Sequence, residues 1–144
     1  MRKSILLIGA TAAAIAATAS RAADISPGLW EISMETRVAA TPGFAPEPFK
    51  LTQCFTADDV RDPARLLGQI ANPGASGCTY GDRTYTGNSL TFTMQCGGTF
   101  AINSRGTVAF GASSMEGTIN ATANVGGSAV ETQNKLSGRR IGGC

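Results

Sequence analysis

The chain contains no histidine. That absence removes the Ser-His-Asp triad, the Cys-His pair, the histidine general base and every His-ligated metal site. Charge is scarce as well: Asp, Glu, Lys and Arg make up 15% of the 144 residues, and the formal net charge is +2. No basic stripe is available to neutralise phosphates, which argues against a nucleic-acid partner. Aromatic residues amount to 6%, with one Trp and two Tyr. The length fits one small domain.

The N-terminus reads as an address. Met1-Arg2-Lys3 is a short basic region, Ser4 to Ala17 is apolar, and Ala17-Thr18-Ala19 and Ser20-Arg21-Ala22 both fit an A-x-A-like cleavage site. The apolar run is shorter than the roughly 18–20 residues a membrane span needs, so the expectation is a signal peptide over residues 1–23. Its removal leaves one domain, 24–144, exported to the periplasm or beyond the cell. Arg2, Lys3 and Arg21 leave with it, so nine basic residues face ten acidic ones. Nothing later in the chain is long and apolar enough for a spanning helix.

Cys54, Cys78, Cys96 and Cys144 remain after cleavage. Four cysteines in a small exported domain read as two disulfides, with three possible connectivities. Their spacings of 24, 18 and 48 residues fit neither a zinc site nor a C-x-x-C redox motif. Cys78 and Cys96 flank position 87 symmetrically. This favours a hairpin with a three-residue loop, Thr86-Gly87-Asn88, pairing Cys78 with Cys96 and leaving Cys54 for Cys144. The staples matter because Leu, Ile, Val and Phe supply only 23 of the residues after position 23.

The dominant period is two, which makes the fold mainly β. Trp30, Ile32, Met34, Thr36 and Val38 alternate with Glu31, Ser33, Glu35 and Arg37. Phe49, Leu51 and Phe55 start a second strand after a loop with three prolines. Thr56-Ala57-Asp58-Asp59 matches a capping box, and Asp62-Pro63 an N-cap with Pro at the first helical position, so Ala64 to Ile70 is expected to be helical. From Cys78 onward alternation marks an antiparallel meander. About seven strands are expected, in a curled antiparallel sheet that is either an open barrel or sandwich-like, with one short helix.

Several stretches together resemble a known family. They are Pro27-Gly28-Leu29-Trp30-Glu31, Gln53-Cys54-Phe55-Thr56, the acidic segment from Asp58 to Pro63, the Gly87-Asn88 turn between Cys78 and Cys96, Glu116-Gly117-Thr118, and Ser137-Gly138-Arg139-Arg140-Ile141-Gly142-Gly143-Cys144. The pattern resembles the proteobacterial periplasmic family designated domain of unknown function 3617, over about residues 25–144. Gly143 stands where that family often has Asp, and the loop Thr41 to Pro48 is shorter than its usual Met/Pro-rich counterpart. The resemblance implies an exported, Cys-containing β protein and no particular activity.

Each candidate site has a plain structural alternative. Asp58, Asp59 and Asp62 lack calcium-loop spacing and read as helix caps. Arg139 and Arg140 are the first place to seek a specific polar contact, although neighbours on a strand point to opposite faces and Arg139 or Arg140 could simply pair with Glu31 or Glu116. The same parity argument places Tyr80 and Tyr85 on opposite faces. Trp30, Met34, Phe92, Met94, Phe100 and Phe110 share the inward parity and are the candidate lining of a cavity for a small apolar ligand. Glu31, Glu35, Glu116 and Glu131 are expected outward, which disfavours a glycosidase-like carboxylate pair. The expectation is therefore a non-enzymatic binding module for a small apolar ligand or envelope component, with no cofactor and no metal. The alternative is a purely structural or protein-interaction domain of the cell envelope.

Overall fold

The computed structural model of the protein describes residues 24–71, 77–98 and 101–144. The expected signal segment 1–23 and Phe100 lie outside the described residues. Seven strands are present: β1 Gly28–Val38, β2 Phe49–Phe55, β3 Cys78–Thr86, β4 Ser89–Cys96, β5 Ile102–Phe110, β6 Ser114–Val125 and β7 Ser128–Gly142. They form one antiparallel sheet in the order β2-β1-β7-β6-β5-β4-β3, with β2 and β3 as unpaired edges. The expected mainly β fold, with seven antiparallel strands and one short helix, is present as one unclosed sheet.

The strand order dictates where the helix goes. β2 and β3 are consecutive in sequence but lie at opposite edges, so the segment joining them must cross a face of the sheet. That segment carries a 3-10 turn, Asp59–Arg61, and helix α1, Pro63–Ala71. The capping box forms as the spacing suggests: the Thr56 amide and hydroxyl donate to Asp59 Oδ2, and the Asp59 amide donates to Thr56 Oγ1. Asp62 Oδ1 accepts from the Arg65 amide at 3.4 Å, and Pro63 opens the helix at no cost in hydrogen bonds. Ala64, Leu66, Leu67 and Ile70 are buried in one cluster with Trp30, Ile32, Phe55, Leu90, Phe92, Val108, Phe110, Met115 and Leu136. Burying each of the helix's larger aliphatic side chains contributes roughly 1.5–3 kcal/mol. No helix among the described residues is long and apolar enough to cross a membrane.

The inner face is also shaped by glycines. Gly106, Gly117 and Gly138 follow the inward parity of β5, β6 and β7. A Cβ at these positions would meet Phe92 Cζ at 3.1 Å, Val108 Cγ2 at 2.6 Å and Met115 Cγ at 2.6 Å. Large neighbours thus fill the missing side chains, and the strands can curl around the helix.

The disulfides join Cys54 to Cys144 and Cys78 to Cys96. The first closes 90 residues of chain and ties edge strand β2 to the segment after β7. Restricting the unfolded chain this way is worth roughly 4–5 kcal/mol for the long loop and about 3 kcal/mol for the 18-residue one.

Two expectations change around β3. The β3–β4 hairpin turns through two residues, Gly87 and Asn88, because Thr86 pairs with Ser89. Gly87 takes the positive φ, 60°, that such a turn needs at its first position. The extra residue sits instead in a bulge, where Gly81 and Asp82 together oppose Thr93. The Asp82 amide donates to Thr93 Oγ1 there. The bulge reverses the parity between the two tyrosines. Tyr80, Arg83 and Tyr85 pair with Met94, Phe92 and Leu90, so both tyrosines face the helix. Tyr80 packs edge-on against Phe92 at 5.8 Å, its hydroxyl donates to the Ala64 carbonyl, and Arg83 lies over its ring.

Burial, with a smaller contribution from the negative charge of Asp62, pushes the Tyr80 phenol from 10.0 up to about 12. The folded state therefore holds the neutral phenol. The resulting stabilisation is complete below pH 10.0 and fades as pH rises towards about 12. A phenolate absorbance titration should show a late-ionising tyrosine, lost in Tyr80→Phe, with the denaturant midpoint of the wild type falling across the same interval.

Candidate functional site

The six side chains expected to line a pocket separate in the structure. Trp30, Phe92, Met94 and Phe110 are at most 2% exposed and belong to the packed core that includes the helix. Phe100 lies outside the described residues. Met34 lines a cavity of about 140 Å³ on the helix side of the sheet, which the other described members of the set do not border.

Strand register locates this cavity. Along β5, β6 and β7 the inward side chains become small or polar as they leave the helix: Ser104 and Ile102, Ala121 and Ala123, Asn134 and Thr132. Ala121 stands between Ser104 and Thr132, and Ala123 beside Ile102. The bulky layer of Leu90, Phe110 and Met115 does not extend this far, so a gap is left between Met34, Ile102 and Ile119.

The polar atoms around the gap are already engaged. Thr36 Oγ1 donates to Asn134 Oδ1 at 2.7 Å, and Asn134 Nδ2 donates to the Ile119 carbonyl at 3.1 Å and to Thr132 Oγ1 at 3.3 Å. Thr132 Oγ1 donates to the Ala121 carbonyl at 3.5 Å, and the buried Ser104 hydroxyl donates to the Met94 carbonyl at 3.4 Å. Among the described residues no buried side-chain nitrogen or oxygen lacks a partner. What remains for a guest is methyl, methylene and thioether surface. Apolar alternation places Thr36 in the inward row of β1 but does not single out Ser104, Thr132 and Asn134. Their parity, shared with Met34, Ile102 and Leu136, was the available signal.

Arg139 and Arg140 do not act together. Arg139 donates through Nε to Glu31 Oε1 at 2.9 Å on the outer face, with its Nη2 at 2.8 Å from the same oxygen. Arg140 Nε donates to the Pro27 carbonyl at 2.8 Å. Both contacts belong to a clasp between the two ends of the described chain. Gly28 adopts φ 143°, and a Cβ there would fall 2.4 Å from the Gly142 carbonyl oxygen and 2.6 Å from Arg140 Nε. Trp30 Nε1 donates to the Ser26 carbonyl at 3.0 Å, Ile25 is buried, and Cys144 is bonded to Cys54. The Pro-Gly-Leu-Trp-Glu and Gly-Arg-Arg-Ile-Gly-Gly-Cys stretches are therefore two halves of one fastening.

The acidic segment also has local work. Asp58 pairs with Arg61 at 3.0 Å in solvent, Asp62 faces the start of α1, and Asp59 closes the capping box. Hydrogen bonds from the Thr56 side chain, then its backbone, hold the Asp59 carboxyl below its ordinary range. Glu31 is engaged by Arg139, and Glu35, Glu116 and Glu131 are exposed.

One protein family, described as proteins of unknown function (DUF3617), matches residues 25–144. No curated protein and no solved structure matches the chain.

The clasp yields a direct expectation. Gly28→Ala combines an unfavourable φ with two close contacts, and should destabilise the fold by more than about 1 kcal/mol. Arg139→Ala, which removes an exposed ion pair, should cost no more than about 1 kcal/mol. Urea denaturation of both variants checks the contrast.

Proposed function

The chain belongs to the family of proteins of unknown function DUF3617, and from that premise we propose that it is an exported, non-enzymatic binding module that takes a small apolar group between Met34, Ile102, Ile119 and Ala121. The observation that carries this reading is the gap beside the packed core, lined by apolar surface whose polar neighbours are already paired. At about 140 Å³ it suits one small apolar molecule or the end of a longer chain. Export rests on the basic-then-apolar start of the sequence, on two disulfides in a lean core, and on a family match that begins at residue 25. The non-enzymatic reading rests on the lack of histidine and on carboxylates already engaged in caps and pairs or standing exposed on the outer face.

A specific observation favours the alternative, a protein-interaction domain of the envelope. The edge strand β2 opens with Phe49, 42% exposed, and the preceding loop carries Phe44, 59% exposed. An unpaired edge beside exposed aromatic surface suits strand addition by a partner.

The two readings separate in one experiment. Protein recovered from the periplasm under mild conditions should carry an extra mass in its native mass spectrum that is lost on denaturation. Ala121→Leu, which fills the gap, should reduce the loaded fraction by about tenfold or more while the protein still folds. A wild-type spectrum showing only the bare polypeptide with two disulfides would overturn the ligand reading.

A further inference from the structure

The opposite face of the sheet holds an open trough of about 990 Å³. Ser104, Ala121 and Thr132 border both hollows, but the outward side chains of the trough are absent from the helix-side gap. Its floor is a row of outward side chains set by the strand register: Arg37 beside Gln133, Gln133 beside Asn120, Asn120 beside Arg105, and Arg105 beside Thr93. The row crosses five adjacent strands, β1, β7, β6, β5 and β4, which spans roughly 19 Å at about 4.8 Å per strand. A parallel row two residues away adds Glu131, Asn103 and Gln95. Ala39 and Pro42 of the β1–β2 loop wall the end next to Arg37.

Charge is arranged unevenly in this trough. Elsewhere Arg139 is engaged by Glu31 and Arg61 by Asp58. The side chains of Arg37 and Arg105 make no ion pair or hydrogen bond among the described residues. Three strand spacings separate them, roughly 14 Å along the backbone. They are too far apart to clamp one small anion, and the side chains between them are carboxamides. Each carboxamide offers two donors and an acceptor oxygen, a match for neighbouring hydroxyls on a ligand. Each guanidinium can hold a carboxylate through two parallel hydrogen bonds. The sheet's own ladder consumes its backbone groups, so a ligand lying on this face is read by side chains alone. No Phe, Tyr or Trp lines the trough, so it has no platform on which bases could stack.

We infer that this polar face is a second binding site, for an elongated, hydroxyl-rich anion of the class of acidic oligosaccharides. Two carboxylates a few sugar units apart would meet Arg37 and Arg105, and the intervening hydroxyls would meet Gln133 and Asn120.

Calorimetric titration of the purified, disulfide-intact protein with a short oligogalacturonate tests the assignment. The expected result is saturable binding that weakens with salt, and weakens by about tenfold or more in Arg37→Gln and in Arg105→Gln. Arg105→Lys should recover only part of the loss. The methyl-esterified oligomer, which lacks the charges, and the single galacturonate, which cannot span the two guanidiniums, should each bind at least about tenfold more weakly. Ala123→Leu, at a residue that lines the helix-side gap and not the trough, should leave this binding unchanged, so failure at one face is distinguishable from failure at the other. Both arginines are exposed, and unchanged thermal midpoints in their variants will show that folding is intact. The assignment is overturned if the oligogalacturonate does not bind at millimolar concentration, if its neutral ester binds equally well, or if both arginine variants bind like the wild type.

Discussion

The pairing of β1 with β7 is the contact on which the rest of the molecule depends. It joins the first strand to the last, over a separation of 98 residues at the Thr36–Asn134 hydrogen bond. Because β1 is held there, β2 becomes an edge, and the chain must cross the sheet to reach β3 at the other edge. That crossing lays α1 over Trp30, Phe92 and Phe110 and builds the core. The clasp of Gly28, Trp30 and Arg140 and the Cys54–Cys144 disulfide reinforce the same seam from its end. The Pro-Gly-Leu-Trp-Glu and Gly-Arg-Arg-Ile-Gly-Gly-Cys stretches therefore report on how the sheet is fastened.

Local rules were legible in the sequence wherever neighbours along the chain decide the outcome. The capping box at Thr56 and Asp59, the proline at the first turn of α1 and the alternation of β1 and β4 all follow from residues within a few positions of one another. The midpoint between Cys78 and Cys96 also pointed to their pairing, although for a slightly different reason. A two-residue turn and a bulge give the same midpoint as a three-residue turn. Only side-chain direction distinguishes them, which is why Tyr80 and Tyr85 end on one face against simple parity. Strand order was not legible, since alternation records which face a residue takes and carries no information about which strand lies beside it. For the same reason the trough could not be anticipated: Arg37 and Arg105 stand 68 positions apart in sequence and come into one row only through three registers.

The two faces solve different physical problems with one set of strands. Inward positions fill a lean core, with large residues next to glycines near the helix and small ones further away, and the gap appears where that supply of bulk ends. Outward positions have no core to satisfy, so Thr, Asn, Gln and Arg can stand in rows without cost. A twisted sheet presents a hollow on either side, and this protein leaves one partly filled and the other fully wet.

The seam also inverts chain order and assembly order. The meander from β3 to β6 consists of neighbours in sequence and can pair as soon as it exists. β1 cannot pair with its inner neighbour until residues 128–142 are available, so the earliest strand in the described chain is among the last to be seated. Closing so long a loop before any contact rewards it is a slow step. While it waits, the apolar edge of Trp30 and Ile32 remains open to wrong partners. A protein built this way gains from being shielded from wrong pairings until β7 is available.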